Sequence, residues 1–523
     1  MWARHRLEWV TAVVAAALGA GYLLMPRMGS DLSAQVARAG FFAEHGYTPI
    51  DLRWYAGVDQ LGYSLLSQPV MALLGVRVTG AIALVGAAVA LAVLLRRTNA
   101  PRPLLGALIG AVCIAGNLVS GRVTYGLGVL FAVTALLALT YPRLRWAAVV
   151  AALLASATSP VAGLFLGLAG VALIAANRWA DGLLVALPAA VPLAVTAGLF
   201  GDGGWMNISR TDAVRAIVTS LVVAALVPRR PVRVGAVLSA AGVLAAALIH
   251  TPVGLNATRL VTMFALPVLA AYAELPAWRR RQASLPDLWV TRPPVPALAL
   301  ALLLVAVCWW QPPVVVSDVR DIGNPTAEPA YFAPLRDRLR QETMTGRVEI
   351  PPTRDYWESA YLGDIPLARG WLRQADIDRN ALFFTTVPGA PGTGVALTAD
   401  SYRSWLADKA VQYVAVPDAE LSWAGRGEAD LIAAGLPYLT PIWSDAHWRL
   451  YAVADPQPIV ASPATLVSQS ATSVTFYAPA ATDVTIRVRH YGWLRVDNHA
   501  VMVASGVWTL VRVTAAGRYT VTS

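Results

Sequence analysis

Through the first 310 residues, apolar runs alternate with short polar connectors, and beyond that point the pattern changes. The runs fall near 8–25, 78–95, 104–119, 125–141, 146–158, 161–176, 183–200, 213–227, 234–250, 260–273 and 297–310. A span needs roughly 20 apolar residues, and several runs are shorter, but their recurrence predicts a polytopic α-helical membrane protein with about eleven transmembrane helices. The first run follows MWARHR with no small-residue cleavage site and precedes ten more, so it is expected to be a retained helix, not a signal peptide.

After 312 the runs shorten. SYRSWLADK and GEADLIAAG read as helices, VQYVAVP as a buried strand and HWRLYAV as another strand. From 459 onward strict alternation in VTFYA, DVTIRVRHY and RYTVTS predicts a small antiparallel β-module. The expected division is a transmembrane domain over residues 1–312, an α/β domain over 313–458 and a β-rich module over 459–523. The two cysteines, Cys113 and Cys308, both precede 313, so packing alone must hold the last two domains.

Composition sharpens the class. Hydrophobic residues make up 57% and charged residues 14%, with mean hydropathy +0.55, far from the roughly 25% charge of a soluble domain. Disorder, collagen and disulfide scaffolds are excluded. The net charge of +10 comes from forty arginines and one lysine, a GC-rich bacterial bias and not a nucleic-acid signal. The arginine positions also predict orientation, because positive residues stay in cytoplasmic loops. With the N-terminus inside, the cytoplasmic segments hold fifteen arginines and the longer outer loops eight. An odd number of spans then puts everything after Trp310 outside a bacterial plasma membrane.

The first outer loop, 26–68, is long and opens MGSDLSAQVARAGFFAEHG. Leu32, Val36, Ala39 and Phe42 share a helical face while Gln35, Arg38 and Glu44 point elsewhere, the pattern of a helix lying in the membrane interface. Asp31 stands at the membrane exit. A carboxylate there can take the proton of a sugar hydroxyl as it is glycosylated, or it can simply cap the helix. Asp51 is a second candidate base, and Trp54 and Tyr55 beside it are candidate sugar contacts at headgroup depth. For a phosphate-linked donor, Arg259, Arg210 and His250 fall on other outer loops, and guanidinium forks suit phosphate oxygens. In DYWESAYLGDIPLARGWLRQ, the residues Trp357, Glu358, Arg369 and Trp371 interleave rings with polar groups, which suits either sugar binding or domain docking.

These features together resemble the GT-C superfamily of membrane glycosyltransferases, with GSDLSAQVARAGFFAEHG, ATSPVAGLFLGL and GLNATRL giving an actinobacterial impression. The resemblance implies inverting transfer of a monosaccharide, hexose or pentose, from a polyprenyl-phosphate donor to a glycolipid or cell-envelope glycan on the outer leaflet, with Asp31 as base. No metal or other cofactor is indicated, although a divalent ion is compatible with the family. A flippase or transporter of a lipid-linked precursor and a non-catalytic envelope scaffold are the alternatives. No P-loop, H-E-x-x-H, C-x-x-C or G-x-S-x-G motif is present, and the spans between Val78 and Trp310 contain almost none of the acidic residues an ion-coupled transporter needs.

Overall fold

The computed structural model describes residues 5–201, 203–274 and 295–523. The arginines at 279–281 and 292 and the start of MWARHR lie outside the described residues. The chain forms two compact units: Met1–Gly29, Ser64–Gly198 and Met206–Ile322, and separately Ser30–Tyr63, Leu199–Trp205 and Gly323–Ser523.

In chain order the helices begin with α1 (Arg6–Leu24), α2 (Leu32–His45), α3 (Ser67–Leu74), α4 (Val76–Arg97), α5 (Pro103–Val119) and α6 (Val123–Ala138). They continue with α7 (Ala147–Thr158), α8 (Pro160–Ala175), α9 (Trp179–Leu199), α10 (Arg210–Leu226), α11 (Arg230–Leu248), α12 (Arg259–Tyr272) and α13 (Val295–Trp310). Each predicted apolar run forms one of these helices, and among the described residues five are long and apolar enough to cross a membrane, α12 when counted with the helical turn that starts at Gly254.

The first unit holds the apolar helices. They are apolar all round, so what their core does not cover is left as an oily exterior: Leu187 is 61% exposed and Trp309 80%. Such a surface suits hydrocarbon and not water. Small residues let the helices touch. A Cβ on Gly170 would sit 2.8 Å from the Gly182 carbonyl oxygen, and one on Gly182 would sit 2.5 Å from that of Gly170, so α8 and α9 meet backbone to backbone. Gly29, the last residue of one segment of this unit, has φ +105° and would place a Cβ 2.4 Å from the Val119 carbonyl oxygen, so only glycine fits the α5–α6 turn there.

The second unit gathers distant pieces of chain. Its strands are β1 (Ile50–Asp51), β2 (Val58–Asp59), β3 (Arg347–Glu349), β4 (Val411–Pro417), β5 (Leu439–Ser444) and β6 (Trp448–Val453), then β7 (Thr465–Gln469), β8 (Ser473–Ala478), β9 (Thr482–Arg489), β10 (Arg495–Val496), β11 (Val501–Ser505), β12 (Trp508–Val513) and β13 (Gly517–Thr522). The α/β portion is a sheet ordered β3-β4-β6-β5, and the terminal module is two antiparallel sheets, β10-β13-β8-β7 and β11-β12-β9. The helical and strand readings of SYRSWLADK, VQYVAVP, GEADLIAAG and HWRLYAV agree with this architecture.

One segment departs from expectation. The loop 30–63, expected as a membrane-interface segment of the transmembrane domain, is built into the second unit. Ile50 and Leu52 lie in the core of the β-module with Phe476 and Ile486, Leu52 N–H donates to Ala471 O at 2.8 Å, and Leu367 N–H donates to Arg53 O at 2.7 Å. Nor is α2 half-wet: Leu32 and Phe41 are buried, but so are Ser33, Gln35 and Arg38. Polar groups can be buried when they find partners, and here they do.

Candidate functional site

Asp31 occupies the N-cap position of α2, yet its side chain makes no cap hydrogen bond, and it is half-buried. The capping role is therefore not what its carboxylate does. The start of α2 is fixed by others: Ser33 Oγ donates to Asp355 O at 2.5 Å, and Trp371 Nε1–H donates to Ser30 O at 3.0 Å. Asp31, Gln35 and Arg38 fall at i, i+4 and i+7, one stripe of the helix. Gln35 Nε2 donates to Tyr63 Oη at 2.7 Å, and Arg38 Nη1 donates to Gln60 Oε1 at 2.8 Å with its guanidinium 4.3 Å over the Tyr63 ring. The sequence pattern sets Gln35 and Arg38 away from the apolar face and does not single out Tyr63 or Gln60; the stripe behind Asp31 is the signal that could have found them.

Asp51 is held inside its own loop. Fully buried, it accepts from Arg53 Nη2 at 2.7 Å, Arg53 Nε at 3.0 Å, Arg53 N at 2.9 Å and Gln60 Nε2 at 3.0 Å. Both oxygens are engaged in holding the loop together. Trp54 and Tyr55 are also interior residues, at 1% and 4% exposure, and not headgroup contacts. Tyr55, at φ 54°, donates its hydroxyl to Gly370 O, and burial raises its pKa.

Trp357, Glu358 and Arg369 likewise lie inside the unit. Arg369 is wrapped by carboxylates, 2.8 Å to Asp376, 3.1 Å to Glu428 and 3.6 Å to Glu349. Burial pushes Glu428 up to about 7 against the pull of Arg369, and Glu349 is raised by burial and by Glu428. Glu358 is pushed up to about 7 by burial, partly offset by the 2.5 Å hydrogen bond from Thr353 Oγ1. These residues pack and pair in the interior. Of the sugar candidates, Trp371 remains half-exposed, next to Ser30.

In the first unit, α8, α9 and α11 enclose an open groove of about 610 Å³ lined by Phe165, Leu168, Leu187, Leu193, Val243 and Ala246 and ending at Thr251, Val253 and Ala257. Its lining is nearly all carbon. The three cation candidates sit on two segments tied together, since Met206 N–H donates to Thr251 O at 3.0 Å and Leu255 N–H to Asn207 O at 3.3 Å. Arg210 begins α10 and His250 follows α11; both are exposed. Arg259 begins α12, half-buried, with its guanidinium 5.5 Å over the Tyr125 ring. Tyr125 in turn meets the groove residue Phe165 edge-on at 6.3 Å. Among the described residues no three His, Cys, Asp or Glu side chains gather as a metal-ligand set.

No family model matches the sequence, and no curated protein matches it. Among solved structures, the arabinofuranosyltransferase AftD from Mycobacteria is similar at 19% identity over 86% of this chain and 40% of AftD, with a TM-score of 0.46. Its R1389S mutant in a second class gives 17%, 87%, 42% and 0.47. ArnT from Cupriavidus metallidurans, bound to undecaprenyl phosphate, gives 13% identity over 87% of this chain and all of ArnT, with a TM-score of 0.33. The chain spans about two fifths of AftD.

Proposed function

We propose that this chain is a membrane glycosyltransferase that moves a monosaccharide from a polyprenyl-phosphate donor to a glycolipid or envelope glycan, on the outer face of a bacterial plasma membrane. The observation that carries it is Asp31: a half-buried carboxylate at the head of a helix fixed by its neighbours, and not used to cap that helix. As the acceptor hydroxyl oxygen attacks the anomeric carbon, its proton passes to the Asp31 carboxylate. The bond from that carbon to the phosphate oxygen breaks on the opposite side, so the centre inverts and polyprenyl phosphate leaves. The reading invokes no metal ion.

The groove is suited to hold the polyprenyl chain, because its lining offers no hydrogen bonds to lose. Arg259, with Arg210 and His250 on the linked loops, supplies positive charge for the phosphate. Over eleven apolar runs, the arginine distribution supports a cytoplasmic N-terminus and an outer C-terminal unit. A groove of this kind would serve a flippase equally well, and transfer separates the two.

The test is transfer of labelled sugar from a polyprenyl-phosphate donor by the purified chain in nanodiscs. Asp31→Asn should fold and melt as wild type while turnover falls by roughly 100- to 10,000-fold, the usual cost of a lost general base. Near wild-type turnover in that variant would remove Asp31 from the mechanism.

A further inference from the structure

Tyr63 and Trp371 stand perpendicular to one another, with ring centres 6.2 Å apart. Both are half-buried, so neither residue is fully covered. Trp371 is tied to the residue before Asp31 through its hydrogen bond to Ser30 O. Tyr63 is held from two directions by the stripe that Asp31 begins: the Gln35 amide at its hydroxyl and the Arg38 guanidinium against its ring. Gln35 and Arg38 are themselves buried, and burying an amide and a guanidinium is costly unless the groups are paired. Gln35 pairs with the Tyr63 hydroxyl, and Arg38, held by Gln60, lies against its ring, which fixes that ring's place.

Backbone contacts reinforce it. A Cβ on Gly62 would lie 2.1 Å from the Phe200 carbonyl oxygen, and one on Gly204 would lie 2.2 Å from that of Gln374. The segment Leu199–Trp205 thus rests on the residues next to Tyr63 and a few beyond Trp371. A fixed aromatic corner tied to the start of the helix that carries Asp31 matches one kind of ligand. The C–H bonds on one face of a sugar ring are weakly positive and lie well on the negative face of an aromatic ring, while its hydroxyls turn to the carboxylate.

We propose that Tyr63 and Trp371 form a stacking subsite for the acceptor sugar whose hydroxyl Asp31 deprotonates, with Gln35 and Arg38 as positioning residues acting through Tyr63. It rests on the transferase reading, but its own content is sugar binding, which is measured without transfer.

The full chain in nanodiscs is titrated with methyl α-D-arabinofuranoside, methyl β-D-galactofuranoside and methyl α-D-mannopyranoside, followed by saturation-transfer NMR. At least one glycoside should bind with one ring face in contact. Tyr63→Leu and Trp371→Leu should each weaken it about tenfold. Tyr63→Phe, which keeps the ring and loses the Gln35 bond, should weaken it about threefold. Gln35→Leu should match Tyr63→Phe, with the double variant no worse than either, as positioning through Tyr63 requires and a separate structural role does not. Where transfer is measured, acceptor KM rises in these variants while donor KM holds. Should Tyr63→Leu not fold, Tyr63→Phe and Gln35→Leu carry the test. The subsite is overturned if wild type binds none of the three glycosides, or if the ring variants bind within about twofold of wild type. Binding with wild-type affinity by Asp31→Asn, and no transfer by any variant or by wild type, would count against the transferase reading alone.

Discussion

In the apolar helices the buried polar side chains are hydroxyls and the like, and several fold back on their own helix: Thr11 Oγ1 donates to Leu7 O at 2.9 Å and Thr219 Oγ1 to Arg215 O at 2.8 Å. Among the described residues none of these helices buries a charged side chain. The second unit does the reverse, burying Arg38, Asp51, Arg53, Arg347, Glu349, Arg369, Asp376 and Glu428. The difference follows from the surroundings. A lone helix in hydrocarbon has only its own backbone to satisfy a polar group, whereas a unit folded from distant pieces of chain can bring partners from hundreds of residues away. Networks of buried charge belong to the second region, and the apolar helices of the first enclose a carbon-lined groove.

Breaking the largest charge cluster should give the largest effect on stability. Arg369→Met leaves the carboxylates of Asp376, Glu428 and Glu349 facing one another, at a cost of about 3–5 kcal/mol. Protease should then cut after 323 while the apolar helices stay protected; a Tm equal to wild type would show the cluster to be dispensable.

Glu358 sharpens the comparison through pH. In the folded chain it keeps its proton up to about 7, while an unfolded glutamate loses it near 4.3. Its contribution is therefore whole below the unfolded value and is lost as pH rises through 7. Glu358→Gln should raise stability at pH 8 by about 2–3 kcal/mol relative to wild type and flatten the Tm profile between pH 5 and 8. Parallel pH profiles for the two proteins would contradict it.

In the helical unit the sensitive feature is contact, not charge. Gly182→Val forces a side chain against the α8 backbone and should cost about 1–3 kcal/mol, with the same loss at pH 5 and pH 8. A pH-dependent loss there would blur the distinction between the units. The smallest effect is expected at the surface: Arg354 and Glu420 pair at 2.6 Å, but Glu420 is mostly exposed, so Glu420→Gln should move stability by less than about 1 kcal/mol.

The apolar helices were legible because a segment that must be satisfied in hydrocarbon carries its own signature in composition and length. The strands of the β-module were legible for a similar reason: alternation such as that of VTIRVR, with Val484, Ile486 and Val488 buried, records which face is covered. Asp31 could be singled out from its place just after a span. The fate of the loop 30–63 could not. Hydrophobic periodicity in α2 says that one face is covered, but not whether lipid or protein covers it, and Gln35 and Arg38 read as solvent-facing until Tyr63 and Gln60 are placed against them.

What the sequence determined by itself was therefore everything local: which stretches are helices, which are strands, and that a carboxylate follows the first span. The tertiary structure alone decided that Asp51, Trp54, Tyr55, Trp357, Glu358 and Arg369 are interior residues and that Tyr63 and Trp371 meet beside the start of α2. The physical reason is that whether a polar or aromatic side chain is buried depends on partners, and here the partners are as far apart in sequence as Ser30 and Trp371.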